Sequence, residues 1–255
     1  GSHVDMTFTA CLFLALTSFL FGFYSSQQSL FLNLLFYVSV ALAFLTKGPL
    51  ALVLIATPIF LWFALTKQWM QIKKFDLLVG VSIFLLIVLP WFVLAEIRNP
   101  GFLEYYFYVE NFLRYVTHDY GGKFGTNHTR PYGYVWILLF LGSFPWSLLI
   151  FKLKPKELVS SFRRLDAKLQ FLLLWSLVPV LFFTISSSIL PAYVLPALPA
   201  MALLVTIFLN QQSVLNFSLK KKYLFFGFSG DRALFFEKAQ DLAPQTRGSA
   251  SWIRI

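Results

Sequence analysis

Residues 30–65 read LFLNLLFYVSVALAFLTKGPLALVLIATPIFLWFAL. Two apolar runs, 30–46 and 49–65, are split by Lys47-Gly48-Pro49. As α-helices, runs of this length nearly span a hydrocarbon core of about 30 Å. The triplet between them reads as a sharp turn at a membrane face. Glycine supplies the bend, and proline suits the first turn of the helix that follows. A helical hairpin of this kind predicts a polytopic membrane protein, and the rest of the chain extends the pattern.

Outward from the hairpin, further apolar runs cover 6–24, 77–95, 133–151, 169–185 and 189–209, making seven in all. The composition agrees: 58% of the 255 residues are hydrophobic, only 13% are charged, and the mean hydropathy is +0.71. The predicted fold class is all-α: a transmembrane bundle of about seven spans with one external amphipathic helix. The membrane module is expected over 1–222. Residues 223–255 are a polar tail with no clear period and are left unassigned. Cys11 is the only cysteine, which excludes an internal disulfide. No basic leader precedes the first run. Gly1-Ser2-His3 reads either as a cloning remnant or as native, and the abrupt start leads us to expect a fragment.

The net charge of +10 does not point to nucleic acid, because no basic face with interleaved aromatics is present. The bases gather in short loops instead: Lys67, Lys73 and Lys74; Lys152, Lys154, Lys156, Arg163, Arg164 and Lys168; and Lys220, Lys221 and Lys222. If the seven runs alternate in direction, all three clusters fall on one side, which the positive-inside rule makes cytoplasmic. The other side receives Asp5, Lys47, the segment 95–132 and the start of the last run.

That 95–132 segment holds most of the polar chemistry. Phe102, Tyr105, Tyr106, Val109, Phe112, Leu113 and Val116 follow an α-helical stripe, with Glu104, Tyr108, Asn111 and Tyr115 opposite and Glu110–Arg114 as an i, i+4 pair. Spacing fits an aromatic belt at the interface and a roof over a cavity equally well. Asp5, at the external mouth of the first run, suits a general base, while its position also fits a helix N-cap. Lys47 suits a phosphate or simple snorkelling to the interface. His118, Asp119 and His128 match no compact metal motif, and no metal ligand or other cofactor is assigned. A divalent metal held through acids distant in the chain is left open. Ser186, Ser187 and Ser188 lack a nucleophile elbow. Pro191, Pro196 and Pro199 predict a broken, widened mouth near Tyr193.

Several stretches resemble the polytopic GT-C glycosyltransferases of the dolichyl-phosphate-mannose protein mannosyltransferase and aminoarabinose lipid A transferase group. They are Val4-Asp5-Met6-Thr7, Leu45-Thr46-Lys47-Gly48-Pro49, Leu89-Pro90-Trp91, and Tyr105 through Asn111 with Arg114. His128 through Tyr134, Gly142-Ser143-Phe144-Pro145-Trp146, and Leu190 through Pro199 complete the set. Their order over residues 4–205 carries the likeness more than any one of them does.

The resemblance implies transfer of a sugar from a polyprenyl-phosphate donor to a lipid, protein or glycan acceptor. The reaction face would be the external face of a bacterial inner membrane, and the surrounding lipids are the remaining partner. It implies Asp5 as the catalytic carboxylate that accepts or orients the acceptor's proton, with Lys47 approaching it and the donor phosphate, assisted by Arg114 or Arg130. Glu110, Asn111, His128, Tyr132 and Tyr193 would line the cavity, and the segment 95–132 becomes its roof.

Three departures stand out. The family's first external acidic loop is absent from this sequence, Asn111 stands where the aminoarabinose transferases carry histidine, and Ile189 stands where many relatives carry lysine. The expectation is therefore a chain inactive on its own. Its rivals are a transporter or flippase, which would place charges in mid-span, and a non-catalytic membrane subunit.

Overall fold

The computed structural model of the chain describes residues 2–25, 29–113, 130–148, 166–186 and 189–211. The tail 223–255, together with Arg114 and His128, lies outside them. Residues Gly1–Phe208 form one compact unit, described here by itself. The described residues of this unit make a helical bundle, as the apolar runs predict.

Helix α1 spans Ser2–Tyr24, α2 Leu30–Lys47, α3 Pro49–Thr66 and α4 Leu77–Arg98. With Ala167–Thr184, these contain the five segments among the described residues that are long and apolar enough to cross a membrane. The remaining two predicted runs are broken. Among its described residues, 133–148, the run 133–151 is α-helical over Tyr134–Gly142 and then turns at Ser143. The run 189–209 begins as a 3-10 helix, Pro191–Ala197, before continuing as α-helix over Leu198–Gln211. Pro191 and Pro196 account for that start, because neither has an N–H to donate to an α-helical ladder.

The hairpin forms as its residues require. Gly48 has φ 61° and ψ −141°, a region open essentially to glycine alone. Its N–H caps the Phe44 carbonyl at 2.6 Å, and Pro49 opens α3. Helix α1 lies at the centre and buries Phe8, Leu12, Ala15, Leu16, Phe19 and Phe23, a run of three- and four-residue steps. Phe19 stacks on Phe75 and Phe171 with centroids 4.8 and 5.6 Å away, and it meets Trp62 edge-on. Small residues let helices approach closely. The Tyr37 ring of α2 lies so near Gly80 of α4 that a Cβ there would fall 2.0 Å from the ring. The outer side of α4 is apolar and uncovered, with Leu78 84% exposed, as a lipid-facing helix requires.

Helix direction alternates through the bundle, so two faces can be told apart. On one, Lys74 Nζ donates to the carbonyls of Phe23 and Ser25 at the end of α1, at 3.2 and 3.4 Å. On that same face Trp62 Nε1 donates to the Ala167 carbonyl at 2.7 Å, joining the end of α3 to the start of Ala167–Thr184. On the other, the start of α1 meets the end of α2. There too the Gly133 N–H reaches the Thr184 carbonyl at 3.1 Å, and Trp136 Nε1 reaches the Thr184 hydroxyl at 3.0 Å.

The interfacial segment departs from its predicted α-period. One α-turn, Phe102–Glu104, gives way to a π-helix over Tyr105–Leu113. In this wider coil, partners lie five residues apart. The Tyr105 hydroxyl donates to Glu110 Oε1 at 2.7 Å, and Asn111 Nδ2 donates to the Tyr106 carbonyl at 2.7 Å. Among the described residues Tyr105 is thus a partner of Glu110, and the predicted pairing of Glu110 with Arg114 lies outside them. Asn111, predicted on the outer face, is half-buried, whereas Glu104 and Tyr108 do face outward.

Candidate functional site

The site starts from two charges at opposite ends of two antiparallel helices. Asp5 lies in the first turn of α1 and Lys47 in the last turn of α2. Each sits where the helix dipole favours its sign. Because the helices run side by side in opposite directions, the two ends coincide, and Lys47 Nζ donates to Asp5 Oδ1 across a separation of 42 residues. The carboxylate is therefore directed at Lys47 and not at a backbone cap, and the ammonium is turned inward to the acid, not outward to the interface. The two side chains are only 10% and 18% exposed.

Aromatic rings bracket the ammonium. Tyr193, at the broken start of the last predicted run, presents its ring 4.8 Å from Lys47 Nζ, and Phe8, one turn beyond Asp5, lies at 5.7 Å. Both distances are within cation–π range. Tyr193 is held in turn by stacking on Phe183, centroids 4.5 Å apart. The proline-broken opening therefore brings a tyrosine to the charged pair.

The interfacial helix closes over the same turn. A Cβ on Gly48 would lie 2.7 Å from Tyr106 Oη, so the phenol rests directly on the glycine that follows Lys47. Tyr106 stacks on Phe102 at 5.5 Å and packs against Phe92 at 5.6 Å, which fixes its ring. Burial pushes the Tyr106 phenol above its ordinary pKa, against a smaller opposing effect of the Asn111 hydrogen bond. At the base of this helix, Glu96 accepts from the N–H groups of Gly101 and Leu103 at 2.9 and 2.8 Å, latching the bend out of α4.

Of the residues singled out by sequence, the structure unites Asp5, Lys47 and Tyr193. Glu110 and Asn111 lie on the helix that carries Tyr106 to the turn. Arg130 is exposed, with its guanidinium carbon 5.2 Å from the Tyr134 ring, and Tyr132 is exposed beside it. Among the described residues no three His, Cys, Asp or Glu side chains gather as a metal site. Sequence reasoning passed over Phe8 and Tyr106. The signal for Phe8 was its place one turn from Asp5; for Tyr106, nothing local marks it beyond the aromatic stripe.

The chain is similar to known proteins in sequence and in fold. Residues 4–106 match the family model for dolichyl-phosphate-mannose-protein mannosyltransferase. An undecaprenyl phosphate-alpha-4-amino-4-deoxy-L-arabinose arabinosyl transferase 1 of Pseudomonas fluorescens is 35% identical over 171 residues, 66% of this chain and 28% of the relative. The corresponding transferase of Yersinia enterocolitica is 30% identical over 184 residues, 71% of this chain and 31% of the relative. The chain thus spans less than a third of the length of these relatives. In three dimensions it is similar to ArnT from Cupriavidus metallidurans bound to undecaprenyl phosphate. That likeness has a TM-score of 0.68 and 26% identity, over 82% of this chain and 37% of that one. Sequence order, family model and fold agree: over the matched part of its length this chain is similar to the polytopic GT-C group that contains the dolichyl-phosphate-mannose protein mannosyltransferases and the aminoarabinose transferases.

Proposed function

We propose that the protein is a glycosyltransferase that moves a sugar, a pentose such as aminoarabinose, from a polyprenyl-phosphate donor to a lipid acceptor. The observation that carries this reading is the secluded Asp5–Lys47 pair at the face where the interfacial helix and the broken proline segment meet. The solved relative ArnT with undecaprenyl phosphate bound supports the donor class. A protein acceptor remains the second candidate. We place the membrane module in residues 1–222, the roof in 95–132, and the reaction face on the periplasmic side of a bacterial inner membrane, opposite the lysine-rich loops.

Asp5 accepts the proton of the acceptor O–H, and the acceptor oxygen attacks the anomeric carbon with inversion. The bond from that carbon to the phosphate oxygen breaks, and its electron pair leaves on the polyprenyl phosphate. The phosphodiester carries one negative charge and the departing monoester two, so a cation aimed at the phosphate stabilises the transition state more than the ground state. Lys47 supplies that charge, with Arg114 or Arg130 as its partner. Glu110, Asn111, His128, Tyr132 and Tyr193 line the space for the sugar and acceptor.

The test uses the full-length protein in proteoliposomes, with an undecaprenyl-phosphate-linked aminopentose and lipid A. Asp5→Asn and Lys47→Ala are each expected to lower turnover by about 100-fold or more. Near-normal turnover in both would remove the assignment.

A further inference from the structure

Lys47 and Asp5 form an incomplete pair. An ammonium has three N–H donors and a carboxylate two acceptor oxygens. Lys47 Nζ spends a single hydrogen bond on Asp5 Oδ1 and otherwise faces the rings of Phe8 and Tyr193. Among the described residues, neither side chain makes a further hydrogen bond or ion pair. A secluded pair held in this way contributes little to stability, since desolvating two ions costs about as much as their attraction returns. Its spare donors and spare oxygen are valences left for something else.

We infer that the Asp5 carboxylate is the resident occupant of the donor-phosphate subsite, and that the donor binds by displacing it from Lys47. This rests on the reading of Lys47 as the phosphate-binding cation. The two anions compete for one ammonium whose sides are closed by aromatic rings. While the site is empty, Lys47 holds Asp5 Oδ1 by hydrogen bond and charge. When the phosphate arrives, the ammonium turns to it, and Asp5 is freed beside a new anion. The Oδ1 lone pair that Lys47 held is then open to the acceptor hydroxyl. The base is therefore switched on by the donor, and proton abstraction follows donor loading. After transfer the dianionic polyprenyl phosphate holds Lys47 until it leaves, and the protonated Asp5 returns its proton to solvent before the pair re-forms.

Competition fixes the sign of a measurable effect. The apparent affinity for the phosphate is reduced by the fraction of protein in which Asp5 holds Lys47. The probe is undecaprenyl phosphate itself, without sugar, titrated into the native protein in detergent by calorimetry. Asp5→Asn is expected to bind it about tenfold more tightly than wild type, within the usual range of a coupling between two ligands, although it transfers no sugar. Lys47→Met is expected to weaken binding, and adding Asp5→Asn to Lys47→Met should give no tightening. If Lys47→Met weakens binding but Asp5→Asn leaves it unchanged or weaker, displacement is overturned while the phosphate role of Lys47 stands. If Lys47→Met leaves affinity unchanged, the underlying reading of the site fails instead. Asp5→Ser serves if Asp5→Asn does not fold. A further readout needs no variant: isotope-edited infrared difference spectra of aspartate-labelled native protein should show a carboxylate band shifting when undecaprenyl phosphate is added, and no shift would overturn the exchange.

Discussion

Replacing Gly48 with alanine tests how the charged turn is held. Two costs add. At φ 61° and ψ −141° an alanine is strained by about 1–3 kcal/mol. Its Cβ would also stand 2.7 Å from Tyr106 Oη, 3.0 Å from Cε1 and 3.2 Å from Cζ. The phenol is pinned between Phe102 and Phe92, so it cannot simply swing aside, and overpacking of this kind costs about 1–3 kcal/mol. Together the two come to about 2–6 kcal/mol. The assay is thermal unfolding of the purified protein in detergent, paired with Tyr106→Phe and the double variant. Removing Oη relieves the shortest contact but leaves the two ring-carbon contacts and the backbone strain. The double variant should therefore recover only part of the loss, by an amount that exceeds additivity. A Gly48→Ala protein within about 0.5 kcal/mol of wild type, the range of ordinary surface substitutions, would refute both the assigned conformation of the turn and the seating of Tyr106 on it.

Gly80→Ala should destabilise the α2–α4 crossing by about 2–4 kcal/mol, because the Tyr37 ring it displaces is also anchored by its hydroxyl. That hydroxyl donates to the Phe75 carbonyl at 2.6 Å; unchanged thermal stability would contradict the packing. Glu96→Gln weakens the acceptor for the Gly101 and Leu103 amides, so hydrogen exchange at those two amides should accelerate while exchange within α1 stays unchanged. Equal protection in both proteins would show that Glu96 does not latch the bend.

How much of this was visible in the chain differs from element to element. The hairpin at Lys47-Gly48-Pro49 was fully legible, since run length, a glycine and a proline act locally. The break at the start of the run 189–209 was legible in Pro191, Pro196 and Pro199, whereas the run 133–151 was legible as apolar but not as broken, because hydropathy averages over a window and does not register where the hydrogen-bond ladder stops. The interfacial segment was legible as amphipathic but not as π-helical. An α-stripe and a π-coil share most of their apolar positions, and only the partners at five-residue spacing, Tyr105 with Glu110 and Tyr106 with Asn111, tell them apart. Asp5 and Lys47 could be singled out as charges at the ends of apolar runs. Their approach was implied only through family resemblance, since local position suited a cap and a snorkelling lysine just as well.

From the sequence alone came the all-helical class and the run boundaries near the hairpin. These follow from transfer of each segment between water and hydrocarbon, a property each segment has by itself. The tertiary structure decided the rest: that Lys47 spends its ammonium on Asp5, that Phe8 and Tyr193 close around it, and that Tyr106 sits on Gly48. Those contacts join residues from four separate segments. Their geometry depends on how helices cross and interlock, which no single stretch of the chain encodes.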